Sequence, residues 1–150
     1  MMKRRYILTL MATFPILPLI RMDASAHSYL HGGLEIEHPW MHENREASLV
    51  DRVVSMVIIN KRNQNDRLIG VTSEDAEEAY IAWGSGSQKI PSVDIVAKTA
   101  TEFHPDAAHV LLKNIRRSYY AMYKGPTVTL NFAKAGRIKV DIVPEEAAEK

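Results

Sequence analysis

The residues of this chain best equipped for chemistry are its six histidines. Four of them, His27, His31, His38 and His42, crowd into one short stretch; His104 and His109 stand together further along. Cysteine is absent, so a metal site could draw only on imidazole, thioether and carboxylate. His109 lies in the run Ala108-His109-Val110-Leu111-Leu112-Lys113-Asn114-Ile115, which reads as a buried strand. On a strand, His109 and Leu111 point to the same face. An imidazole there is a natural metal ligand and a leucine is not. The same histidine could equally be a strand residue hydrogen-bonded in or near the core. His104 sits in the turn just before it and could reach the same metal, or be a solvated loop residue.

The N-terminal histidines offer a different donor set. If His27 became an N-terminus, its α-amine and imidazole could chelate one metal, with His31 as a third nitrogen. Nitrogen-rich ligation suits Cu(II), Zn(II) or Ni(II) rather than Cu(I). Met41 and His42 lie near this end, but spacing alone does not gather them, and histidines at chain ends are often idle. The acidic run Glu74, Asp75, Glu77 and Glu78 lacks the spacing and glycine of an EF-hand loop and reads as a solvated loop, with one helical turn as the alternative. Tyr119, Tyr120 and Tyr123 could form a partner surface or cover the core. Ser, His and Asp are all present without a nucleophile elbow, so no catalytic constellation is read and an enzyme is not expected.

The elements that must position these groups are strands, preceded by a removable leader. Lys3, Arg4 and Arg5 precede an apolar run from Tyr6 to Ile20, and Ala24-Ser25-Ala26 has the small-x-small form of a signal-peptidase site. Residues 1–26 therefore read as a signal peptide, and residues 27–150 as the exported domain. Pro15 and Pro18 break the apolar run, which is short for a membrane span; an uncleaved anchor is the alternative. The whole chain has 19 Lys+Arg and 18 Asp+Glu; without Lys3, Arg4, Arg5, Arg21 and Asp23 it keeps 15 and 17, a net charge of −2. No basic stripe remains to argue for nucleic acid. An exported domain without cysteine has no disulfide and depends on its core.

Within that domain, Leu34 to Glu37 alternates apolar and charged, as a half-buried strand does. Pro39 should hold His38 extended, and Trp40 reads as a core anchor or lid. Asp51 to Ile59 is apolar on both faces, with Val54, Met56 and Ile58 on one, which marks a central strand. Arg67 to Ser73, with Leu68 and Ile69 feeding the core, Ala79 to Trp83 and Ser92 to Ala97 read as further strands. Gly84-Ser85-Gly86-Ser87 reads as a flexible turn. Thr101 to Ala107 reads as a connection turning at Pro105-Asp106. Thr127 to Phe132 and Arg137 to Ile142 alternate strictly around a turn ending at Gly136, forming a hairpin. About seven short strands with Gly and Pro turns and no long amphipathic helix predict an all-β sandwich or barrel.

Distributed pieces of the sequence carry a family resemblance. These are His38-Pro39-Trp40; Ile58-Ile59-Asn60-Lys61 followed by Asp66-Arg67-Leu68-Ile69-Gly70; Ala76-Glu77; Ala108-His109-Val110-Leu111-Leu112; and Gly125 to Val140. In order and spacing they resemble the periplasmic copper chaperones of the PCu(A)C type. The resemblance implies a cupredoxin-like Greek-key β-sandwich that binds Cu(I) and supplies copper to the binuclear centre of cytochrome oxidase, with that oxidase's assembly proteins as partners. It also implies a ligand set of a His, a Met about ten residues later and a final His-x-Met, whose soft donors suit Cu(I). The chain departs from the pattern at those ligands. The first histidine falls at about Ala82, no methionine stands between Met56 and Met122, and the last motif is His109-x-Leu111. The expectation is a copper-chaperone-like protein with a degenerate site, handling copper through His109, His104, His27 and His31. The rival is a ligand-empty sandwich serving as a binding or assembly module.

Overall fold

The computed structural model describes residues 28–41, 51–115 and 125–144. Among them are twelve strands: β1 (Ser28–His31), β2 (Leu34–Met41), β3 (Arg52–Asn60), β4 (Asp66–Thr72), β5 (Ala76–Trp83), β6 (Gln88–Lys89), β7 (Val93–Ile95), β8 (Ala100–Phe103), β9 (Ala108–Ile115), β10 (Thr127–Phe132), β11 (Gly136–Asp141) and β12 (Val143–Pro144). The larger sheet runs β1-β2-β3-β9-β5-β6, with β12 also on β2 and β8 also on β3; the smaller runs β11-β10-β4-β7. Only the β12–β2 pair is parallel. The chain crosses between sheets after β3, β4, β6, β7, β9 and β11, as the connections of a Greek-key sandwich do. This is the all-β, cupredoxin-like β-sandwich that the sequence predicts. No helix of the described residues is long and apolar enough to cross a membrane.

Strand alternation decides what enters the core. Val54, Met56 and Ile58 of β3 pack inward with Val110 and Leu112 of β9, against Leu68, Leu130 and Val140 of the smaller sheet. Residues 127–132 and 136–141 pair as the expected hairpin, from Thr127 opposite Asp141 to Phe132 opposite Gly136.

Five local expectations are corrected. Leu68 and Ile69 are neighbours on a strand and must face opposite ways; Leu68 is in the core and Ile69 is 52% exposed. Thr101 to Phe103 belong to β8, because Met56 to Ile59 of β3 offer them a free edge beyond the end of β9. The acidic run is not a loop throughout. Glu77 and Glu78 lie on β5, and Asp75 is buried, its Oδ2 accepting from the Thr127 amide at 2.7 Å. His38 is not extended: its φ is +46°. It occupies a bulge where β2 gains one residue on β3, between the pairs Glu37–Val57 and Trp40–Ser55. Pro39 has no N–H for the ladder, so the ladder is broken there anyway. The bulge also resets the alternation. Met41 turns into the core, and Trp40 goes to the outer face beside Ser55, half-buried rather than as a core anchor.

Two polar knots explain why the Asn60–Gly70 stretch is built as it is. Asn60 is buried; its Nδ2 donates to the carbonyls of Gln64 at 2.9 Å and Ile95 at 3.0 Å, and its Oδ1 accepts from the Arg62 amide at 3.1 Å. Asp66 accepts from the amides of Arg67, Lys134 and Ala135 at 2.8, 2.9 and 2.9 Å, and from the Arg62 guanidinium. Burial by itself raises the Asp66 carboxyl; the three amides and the guanidinium outweigh it and hold the group below its ordinary value. These side chains fasten turns to the sandwich, so this part of the motif is structural.

Candidate metal-handling site

Val110 and Leu112 take the core face of β9, which leaves His109 and Leu111 on the outer face of the larger sheet. The two form the same-face pair expected from their spacing. His109 is nonetheless 0% exposed and Leu111 only 8%. Directly across on β5, Ala82 pairs with His109 and Tyr80 with Leu111; on β3, Val53 pairs with Leu111. Carrying the Val54–Val110 register on by one residue sets His109 beside Ser55, itself paired with Trp40. The row Trp40, Ser55, His109 and Ala82 therefore crosses four strands on one face.

Both ring nitrogens of His109 are engaged. Nδ1 lies 3.1 Å from the Ala107 carbonyl oxygen, which can only accept, so Nδ1 carries a proton. In the neutral ring this makes Nε2 the lone-pair nitrogen, and the Ser87 hydroxyl donates to it at 3.0 Å. An Nδ1–H fixed by a backbone carbonyl is the support that orients a metal-binding imidazole. Ser87 was legible in the sequence only as part of a Gly-Ser-Gly-Ser turn. No spacing rule connects it to a histidine on another strand.

The other expected ligands are spread out. His104 opens the turn before β9, its side chain about half exposed. Its Nδ1 accepts from the Asp106 amide at 3.3 Å, and its carbonyl from the amide of Ala107, the residue whose own carbonyl holds His109. His31 is exposed at the end of β1, in register through Leu34 with Asn60. That is three strands from β9 and about five residues along β3 from Ser55, a separation of roughly 20 Å at usual sheet spacings. One ion cannot bridge His31 and His109. His27, His42, Tyr119, Tyr120 and Tyr123 lie outside the described residues, as does the leader 1–26. Among the described residues no three His, Asp or Glu side chains converge as a metal site. Among the described residues, the polar groups beside His109 on this face are hydroxyls, Ser87 on Nε2 and Ser55 at the neighbouring register position, while Met41 and Met56 face the core. A complete His/Met set does not fit, and a single-imidazole arm does.

Solved structures of PCuAC domains match this sandwich. The copper-bound PCuAC domain from PmoF2 is 27% identical, with a TM-score of 0.67 over 79% of this chain and 97% of that one. The apo PCuAC domain from PmoF1 is 25% identical, with a TM-score of 0.69 over 79% and 98%. CuI-DR1885 from Deinococcus radiodurans, 18% identical with a TM-score of 0.59 over 83% and 84%, shares the fold. No curated protein sequence matched. The family model described as "Putative lipoprotein LpqE-like" matches residues 34–144, and the chain belongs to this LpqE-like, PCuAC-type family.

Proposed function

We propose that this protein is an exported, non-enzymatic copper-handling chaperone with a degenerate Cu(I) site, in which His109 is the retained imidazole arm. The observation that carries this reading is the Ala107 carbonyl on Nδ1, which leaves Nε2 as the ligating nitrogen of a pre-oriented ring. Membership of a PCuAC-type family, and likeness to a domain solved with copper bound, support copper as the cargo. His104 is the nearest further candidate. His27 and His31 belong to a separate N-terminal site suited to Cu(II), in a domain that begins at residue 27 after cleavage of the signal peptide 1–26. Delivery to cytochrome oxidase assembly proteins in the periplasm is the role this cargo would serve. The family description names a lipoprotein, yet these 150 residues hold no cysteine thiol to acylate.

The test is titration of residues 27–150 with Cu(I) under a competing chelator, and separately with Cu(II). Cu(I) binding should be present, weak beside a full His/Met site, and lost in H109A. Binding no tighter than micromolar in both states overturns the reading, and sub-picomolar Cu(I) affinity overturns the degenerate site. A second reading, a ligand-empty assembly module, is favoured by Ala82 and Leu111 at ligand positions and by the engaged Nε2. Capture of a periplasmic partner that persists in chelator would support it.

A further inference from the structure

We infer that the turn Gly84–Ser87 is a latch on His109, which a metal ion must lift before it can bind Nε2. This deepens the proposed copper reading and rests on it. The turn is tied down at both ends to one short piece of chain. At its start the Gly84 amide donates to the Ala107 carbonyl at 2.9 Å. At its end the Ser87 hydroxyl donates to His109 Nε2 at 3.0 Å. The Ala107 carbonyl also accepts from His109 Nδ1, so the same group orients the ring and anchors the turn.

The turn caps the β5–β6 pair, with Trp83 opposite Gln88, and has open space around its glycines. A Cβ added to Gly84 or Gly86 would meet nothing within 4 Å. The turn closes on itself through the Ser87 amide and the Gly84 carbonyl at 2.9 Å. Ser87 has a φ of +48°, the left-handed region that glycine adopts freely and a residue with a Cβ does not. Glycine would suit this backbone better than serine; what serine adds is the hydroxyl on Nε2. That hydrogen bond occupies the lone pair a metal needs, in a ring with no exposed surface. Binding therefore requires the Ser87 contact to break and the turn to move, and the hydroxyl competes with the ion for one nitrogen. Ser87 acts through His109 and is a positioning residue.

The experiment compares wild type, S87G, H109A and the double variant by Cu(I) competition titration, with ¹⁵N NMR of the His109 ring and thermal unfolding of each apo protein. S87G removes the hydroxyl and suits the positive φ, so the turn keeps its shape; S87A provides a second hydroxyl-free variant. Losing one hydrogen bond that competes with the ion should tighten Cu(I) binding roughly three- to tenfold. The gain should vanish in H109A, and the Nε2 resonance of apo S87G should shift. His109-dependent binding in wild type, unchanged in S87G, overturns the latch and keeps the copper reading. A gain that persists without His109 also overturns the latch. His109-dependent binding that appears only in S87G upholds the latch and overturns copper handling by the native protein. No His109-dependent binding in either protein overturns both.

Discussion

Leu111 has the volume of a methionine without its sulfur, and it stands on the same face as His109 with Tyr80 and Val53 across from it. A Leu-to-Met exchange conserves volume, and such swaps usually cost less than about 1.5 kcal/mol. L111M would place a thioether beside the imidazole, and thioether is a soft Cu(I) donor. We expect L111M to fold with little change in melting temperature and to raise Cu(I) affinity about tenfold or more, a gain of at least ~1.4 kcal/mol. Competition titration checks this. An unchanged affinity would mean that position 111 lies outside the reach of an ion on Nε2. Spacing alone made His109 and Leu111 visible as a pair. It could not reveal Ser87, because a hydroxyl donated from the end of a β5–β6 turn depends on how three strands come together.

The Asp66 knot governs an element: it fastens the start of β4 to the β10–β11 turn through the amides of Lys134 and Ala135. Asparagine keeps one acceptor oxygen and turns the other into a donor, so the amide or guanidinium donors that this oxygen served are left unpaired. D66N should destabilise the sandwich by about 2–3 kcal/mol, read from chemical denaturation. The sign of the pH dependence follows from the lowered folded-state value. The Asp66 contribution is fully present above the ordinary carboxyl value of 3.8 and is lost as pH falls from there through the lower folded value. Wild type should lose stability across that acid window, and D66N should show a shallower loss. Equal acid sensitivity in the two proteins would remove Asp66 from this role. The motif Asp66-Arg67-Leu68-Ile69-Gly70 was legible as a family segment, but its purpose was not, since two of the amides that Asp66 accepts from, Lys134 and Ala135, lie far along the chain in the turn of the neighbouring β10–β11 hairpin. The bulge at His38 and Pro39 was hidden for a related reason: proline announces a break in pairing, not the direction in which the chain resumes.

At the scale of the whole molecule, the proposed signal peptide 1–26 carries a prediction. The exported protein should begin at His27, and intact-mass spectrometry of material recovered from the periplasm checks it. A mass retaining residues 1–26 would favour the uncleaved anchor. Alternation in Leu34–Glu37, Thr127–Phe132 and Arg137–Ile142, beside the run Asp51–Ile59 that is apolar on both faces, announced a sandwich, because a period of two is a local property. That property lets the sequence by itself determine the fold class and the face shared by His109 and Leu111, and its composition alone shows that these 150 residues offer no thiol ligand. The tertiary structure alone decided which strands became neighbours. It set Ala82 opposite His109, carried His31 to a distant corner of the same sheet, and brought Ser87 onto Nε2. Those placements depend on register and turn geometry between segments far apart in the chain, and no local pattern encodes them.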